Sequence, residues 1–143
     1  MIYEDRISSS QEKKAKKTSG KEFFPKDIDA SILKTIDYHY PYRKISVQSS
    51  SGEFTCLCPF SGLPDFARLN ITYVPRRKLI ELKSLKFYFY SFRSVKIYNE
   101  HVVNKILEDL KNLLNPHEIS VTGEFTSRGG ICNKVTASYK AKR

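Results

Sequence analysis

The chain has 143 residues, 40% apolar and 28% charged, enough for one domain with a modest single core. No stretch approaches the roughly 20 apolar residues that span a bilayer, and "MIYEDRISSSQEKK" has no apolar signal core, so a soluble, cytoplasmic protein is expected. A formal net charge of +10 leaves open an anionic partner or a solvated basic surface with a basic tail, while three cysteines argue for free thiols over a disulfide framework.

Residues 1–26 read as a basic, mobile tail, because "SSSQEKKAKKTSGKE" has no apolar face. A single domain is expected over residues 27–143. "DIDASILKTIDYHYPYRK" suits either a short helical turn, with Asp27 or Asp29 as N-cap, or a draped arm. "KISVQSSSGEFTCLC" reads as strand, turn, strand, with Ser-Ser-Ser-Gly at the turn. In "DFARLNITYVP", Ala67, Leu69, Ile71 and Tyr73 alternate with Phe66, Arg68, Asn70 and Thr72, which predicts a strand with one buried face. "PRRK" turns the chain and "LIEL" resumes extended structure.

Two helices are expected next. Leu85, Tyr88, Phe89 and Phe92 recur at helical spacing in "SLKFYFYSFRS". Val102, Val103, Ile106, Leu110, Leu113 and Leu114 form a stripe in "EHVVNKILEDLKNLLN", opened by Asn99 or Glu100 and closed at Asn115-Pro116. "EISVTGEFTS" and "CNKVTASYKA" supply two more strands around Arg128-Gly129-Gly130. The fold class is therefore α+β, an antiparallel sheet with two helices on one face. Two helices only partly cover four amphipathic strands, so closure of the sheet between subunits of an oligomer is expected.

The chemistry concentrates in "GEFTCLCPFSGLPDFARL". Cys56 and Cys58 are two apart, unlike zinc-ligand spacing, and His39, His101 and His117 are scattered, so no metal is expected. A disulfide between neighbours on one strand face would be strained. Cys56 suits a small buried hydrophobe. Cys58 precedes Pro59, which ends the ladder and sets the thiol at the rim of the sheet, where a nucleophile can reach a substrate. Read alone, Asp65 is a turn residue after Pro64, Glu100 a helix-start acid, and Lys83 and Lys86 a solvated face.

Four blocks, "FTCLCPFSGLPDFARLNITYVP", "ELKSLKFYFYSFR", "NEHVVNKILEDL" and "FTSRGG", resemble the QueF family of NADPH-dependent 7-cyano-7-deazaguanine reductases in order and spacing, over residues 52–130. The resemblance implies that Cys58 adds to the nitrile as a thioimide and that Asp65 donates protons. It implies that NADPH delivers hydride twice, within queuosine biosynthesis. It assigns substrate binding to Ile80, Glu81, Leu82, Asn99 and Glu100, with Asn99 standing where many members carry histidine. It assigns the cofactor to Lys83 and Lys86, with Arg93 and Arg128 as further cations. It implies the tunnelling fold, with sheets closing into a barrel across subunits and a decamer of two pentamers. The implied substrate is a small molecule, without nucleic acid or membrane. Two alternatives stay open at this point: an amidinotransferase-like relative acting on deazaguanine in tRNA, and a non-catalytic basic RNA-binding module.

Overall fold

The structure, a computed structural model, describes residues 22–142. Two 3-10 turns, Pro25–Asp27 and Ala30–Ile32, lead the described chain. In the second, the Asp29 carboxylate accepts from the Ser31 N–H at 2.9 Å, as an N-cap does. Strands β1 (Thr35–Asp37), β2 (Val47–Leu57), β3 (Pro64–Val74) and β4 (Lys78–Ile80) follow, then helices α1 (Leu82–Tyr90) and α2 (Asn99–Leu114), then β5 (Glu118–Arg128) and β6 (Ile131–Lys140). The four long strands form one antiparallel sheet in the order β2-β3-β5-β6, and β1 pairs with β4 in a separate ribbon.

The period-two pattern of β3 does what one-sided burial requires. Ala67, Leu69, Ile71 and Tyr73 are each 3% exposed or less, while Phe66 faces solvent. Each large apolar side chain on that row contributes about 1.5–3 kcal/mol on burial. In α2, Val102, Val103, Ile106, Leu107, Leu110 and Leu114 are buried, and Leu113 is partly so. The helix lies over β5 and β6, while α1 lies against β2. Their apolar faces and the inward sheet rows form one core cluster. Asn115 stops α2 in the left-handed region at φ 45°, a conformation asparagine tolerates better than most residues.

Three local expectations differ. Residues 47–57 are one strand rather than two joined by a turn. Gly52 and Glu53 together oppose Arg68, a β-bulge that absorbs the turn-like composition within the ladder. Ser50 is held by a hydroxyl bond to Asn70 Oδ1 at 2.5 Å, so the serines serve the exposed strand face. Second, "LIEL" is extended only to Ile80; the Glu81 side chain then caps α1. Third, the boundary expected after residue 26 falls inside attached chain. Phe23 bridges Val95, its carbonyl accepts from the Lys96 N–H at 2.9 Å, and Lys96 Nζ pairs with Glu22 at 2.5 Å. The tail expectation for residues 1–21 lies outside the described residues.

Gly123 marks where α2 sits closest to the sheet. A Cβ there would stand 2.8 Å from Phe125 Cε2 and 3.1 Å from Val103 Cγ2, both on buried side chains. Gly123→Ala is expected to destabilise the fold by about 1–3 kcal/mol through overpacking. Urea unfolding followed by circular dichroism measures it, and an unchanged midpoint would contradict this packing.

Candidate active site

Residues 58–63 connect β2 to β3. Pro59 has no N–H to continue the ladder. The connection closes on itself instead: the Cys58 N–H donates to Leu63 O and the Gly62 N–H to Cys58 O, both at 2.8 Å. Gly62 stands at φ 72°, where a glycine is favoured. Ser61 Oγ accepts from the Leu63 N–H at 3.2 Å. On the outer edge of β2, the Leu57 N–H donates to Val95 O at 2.9 Å and Leu57 O accepts from the Ile97 N–H at 3.0 Å. The residue before Cys58 is thus held by β3 on one side and residues 95–97 on the other.

Cys58 is partly exposed at this rim. Burial raises its thiol. Hydrogen bonds from the Ser61 hydroxyl, the Ser61 and Phe60 backbone and the Arg128 guanidinium favour the thiolate and outweigh burial, so Cys58 lies below the ordinary thiol value. Cys56, two residues back and within β2, has the opposite environment. It is fully buried, and burial, with the charges of Asp65 and Cys58, pushes it up to about 12.

Asp65 is the cross-strand partner of Cys56 and extends the core-facing row of β3, at 8% exposure. A carboxylate on such a row needs a partner. Arg128 supplies it, with Nη1 at 2.7 Å from Asp65 Oδ1. The Arg128 Nη2 is 3.5 Å from Ser61 Oγ. A second bulge, in which Thr126 and Ser127 oppose Cys132, lies directly before Arg128 at the end of β5. Cys58, Ser61, Asp65 and Arg128 therefore form one cluster at the hairpin end of the sheet. Arg128 was expected as a cofactor cation; here it is engaged with Asp65. Ser61 was not singled out, and the signal available was a hydroxyl two residues before the loop closes on Leu63.

Glu100 lies exposed in the first turn of α2, beside the half-buried Asn99. Its Oε1 accepts from Asn133 Nδ2 at 3.1 Å. Asn133, also missed from sequence, is two residues along β6 from Ile131, which pairs with Arg128. Glu100 thus reaches the same end of the sheet as the cysteine cluster.

The segment before α1 behaves differently. Ile80 is a core residue, Leu82 is exposed, and the Glu81 carboxylate accepts from the Lys83 N–H at 2.9 Å and the Ser84 N–H at 2.7 Å. Those bonds, Ser84 first, hold Glu81 below the usual carboxylate range. Lys83 and Lys86 are exposed on α1, and Arg93 is exposed in the turn beyond it. Among the described residues none of these three cations makes an ion pair. Leu82 and Lys86 line a groove of about 260 Å³ with Ser49, Ser50, Ser51 and Glu53 of β2. That stretch lies roughly 15–30 Å along the chain from Cys58. One chain therefore gathers the cysteine, the aspartate and the glutamate at one end, and leaves the α1 lysines away from them.

A family model described as "QueF-like protein" matches residues 64–143. An NADPH-dependent 7-cyano-7-deazaguanine reductase of Thermoanaerobacter pseudethanolicus is 46% identical over 116 residues, 81% of this chain and 87% of the relative. The protein of the same name in Caldicellulosiruptor bescii is 50% identical over 113 residues, 79% of this chain and 86% of the relative. A crystal structure of the archaeosine synthase QueF-Like in the apo form superposes with TM-score 0.60 at 22% identity, covering 70% of this chain and 96% of that one, a likeness of fold alone.

The thiol environments make a direct prediction. Iodoacetamide should label Cys58 and the exposed Cys132 at neutral pH and leave native Cys56 unlabelled. The pH profile of Cys58 labelling should lie below that of an ordinary thiol and move to higher pH in Arg128→Gln, where a cationic donor is lost. Asp65, Cys56 and Arg128 are the charged or titratable groups that face it. Peptide mass mapping across pH reads the outcome; a Cys58 profile like that of an ordinary thiol, unmoved by Arg128→Gln, would contradict the assigned environment.

Proposed function

The chain belongs to the QueF-like family, and from that premise we propose that it reduces the nitrile of 7-cyano-7-deazaguanine to a primary amine through a thioimide on Cys58. It is an NADPH-dependent nitrile reductase. The observation that carries the mechanism is a thiol favoured toward its anion, at the rim of the sheet, beside a buried carboxylate held by Arg128.

A nitrile carbon is electrophilic, and a thiolate is the strongest side-chain nucleophile available near neutral pH. When sulfur bonds to that carbon, one π bond of the nitrile opens and the nitrogen takes a proton. Asp65, next along the rim, is the group proposed to pass it. The base is a guanine analogue, whose ring N–H and exocyclic amine form a donor pair. Glu100 can accept both in parallel, with Asn133 orienting its carboxylate and Asn99 beside it. At the start of α1, the Ile80 side chain is buried and the Glu81 oxygens are occupied by the cap, so Leu82 is the side chain of this segment that can meet the base, reaching it from another copy of the chain.

NADPH, when bound, would supply the hydride equivalents that the reduction of nitrile to amine requires. The residues on α1 fit such a ligand. Lys83 and Lys86 present two ammonium groups on an exposed helix face without ion-pair partners among the described residues, which suits pyrophosphate and 2′-phosphate. Arg93 adds a third cation beyond the helix.

The separation between the α1 lysines and Cys58 supports a site completed by another copy of the chain. The tunnelling fold, with sheets joined edge to edge into a barrel and a decamer of two pentamers, provides that arrangement. The outer strands β2 and β6 supply the edges. Ile131, Phe60, Leu63 and Phe66 leave exposed apolar surface around the hairpin end. The amine product suits queuosine biosynthesis in the cytoplasm. An amidine-forming enzyme on the same fold would have no use for the paired lysines.

Adding the nitrile base to protein and NADPH should consume two NADPH per base, read as absorbance loss at the nicotinamide band. Cys58→Ala should abolish that loss, and Cys56→Ser should keep substantial activity. The double variant Lys83→Ala/Lys86→Ala should raise KM for NADPH by about tenfold or more, with a smaller effect on KM for the base. Turnover in Cys58→Ala, or unaltered NADPH kinetics in the double variant, would overturn the respective assignment.

A further inference from the structure

The end of the sheet opposite Cys58 carries a cleft that the nitrile chemistry does not use. β2 and β5 begin there and β3 and β6 end there, roughly 30 Å along β3 from the cysteine end. The cleft holds about 500 Å³ and is lined by Arg43, Lys44, Arg76, Lys140 and Lys142, with Glu118 the one carboxylate in its lining. Glu118 stands 3.5 Å from Lys140. Among the described residues, Arg43, Lys44, Arg76 and Lys142 make no ion pair. Cations gathered around one cavity repel one another, a cost that a face of mixed sign avoids. Tyr42 lines the same cleft and is 80% exposed.

We propose that this cleft binds single-stranded nucleic acid, with Arg43, Lys44, Arg76 and Lys142 on its phosphates and the Tyr42 ring on one of its bases. The nucleic acid is a partner at a second site, not the substrate, so the inference stands apart from the reductase reading.

Local bonds set these groups in place. The Arg43 N–H donates to Tyr40 O at 2.9 Å, closing a turn, and the Tyr38 hydroxyl donates to Arg43 O at 3.0 Å. The Arg43 guanidinium lies 5.5 Å from the centre of the Tyr40 ring. That turn presents Tyr42 to solvent beside an ordered cation. Arg76 Nε donates to Asn115 O at 3.2 Å, a bond that leaves the terminal nitrogens for a phosphate. The Ala141 N–H donates to His117 O at 2.9 Å and the His117 N–H to Val74 O at 3.0 Å. These bonds tie the end of β6, which carries Lys140 and Lys142, to the end of β3. Phosphates engage such cations whatever the base sequence, and an exposed aromatic ring adds a platform on which any base can stack. A duplex hides the faces of its bases, so Tyr42 favours a single strand. An acidic polypeptide would meet the cations and leave Tyr42 without a role. A second copy of this face would bring like charges together.

Fluorescence anisotropy of a labelled oligouridylate, titrated with the full chain at low salt, tests the cleft. Binding should occur and weaken steeply as salt rises. Arg43→Gln/Lys44→Gln should weaken it about tenfold, and Arg76→Gln about threefold. Tyr42→Ala should also cost about tenfold, whereas Tyr42→Phe, which keeps the ring, should bind like the unaltered chain. Residues 42–44 are exposed, so circular dichroism and light scattering should show fold and assembly unchanged in their variants. A duplex of equal charge and poly-glutamate should compete poorly. Saturating NADPH should not compete, because the cations proposed for the cofactor lie on α1 and in the turn beyond it. No binding at low salt, undiminished binding in Arg43→Gln/Lys44→Gln, or displacement by NADPH would overturn the site. Equal competition by poly-glutamate or duplex, or undiminished binding in Tyr42→Ala, would overturn a single strand as its ligand.

Discussion

The ion pair between Asp65 and Arg128 is the contact on which the candidate site depends. Asp65 occupies the inward row of β3, in line with Ala67, Leu69, Ile71 and Tyr73, where every other side chain is apolar. A charge at that position is sustained by hydrogen bonds from a cation or not at all. Arg128 comes from the far end of β5, 63 residues away, and reaches Asp65 at the end of the sheet. The same guanidinium faces Ser61 and Cys58. One contact therefore sets where the carboxylate points and what charge the sulfur meets. It also makes the two cysteines unlike. Cys56 stands in β2, two residues before Cys58, but is fully buried and behaves as core.

The rest of the fold serves to hold four strand ends at that point. β2 ends, β3 begins, β5 ends and β6 begins within one hairpin end of the sheet. Helix α2 brings Glu100 there because its stripe of valines, isoleucine and leucines fixes it over β5 and β6, with Gly123 permitting the close approach. Helix α1 is fixed differently, along β2, and keeps Lys83 and Lys86 away from Cys58. A single chain thus holds Cys58 and Glu100 at one end of the sheet and holds Lys83 and Lys86 apart from them, a division that the proposed assembly of copies would reunite.

Much of this was legible from one-dimensional periodicity. The alternation in β3 and the α2 stripe each report burial of one face at a known repeat, and both elements match their expected extents closely. Cys58 and Glu100 were legible as candidates because the surrounding motifs resemble a family with that chemistry. What was not legible depends on distant contacts or on local composition that two structures share. Ser-Ser-Ser-Gly suits a turn and equally suits an exposed strand face with a bulge. Glu81 suits a ligand contact and equally suits the helix cap it makes with Ser84. Phe23 sits in polar sequence, and its attachment becomes visible only with Val95 and Lys96 beside it. No spacing rule links Arg128 to Asp65 or Asn133 to Glu100, because strand pairing across the sheet makes those contacts.

A crystal structure of the protein with 7-cyano-7-deazaguanine and no cofactor tests the account most directly. Continuous electron density from Cys58 Sγ to the former nitrile carbon is expected, with an Asp65 oxygen within hydrogen-bond reach of the nitrogen and a Glu100 carboxylate on the guanine-like edge of the base. A base bonded to Cys56 or Cys132, or seated without any bond to sulfur and away from Asp65, would contradict it.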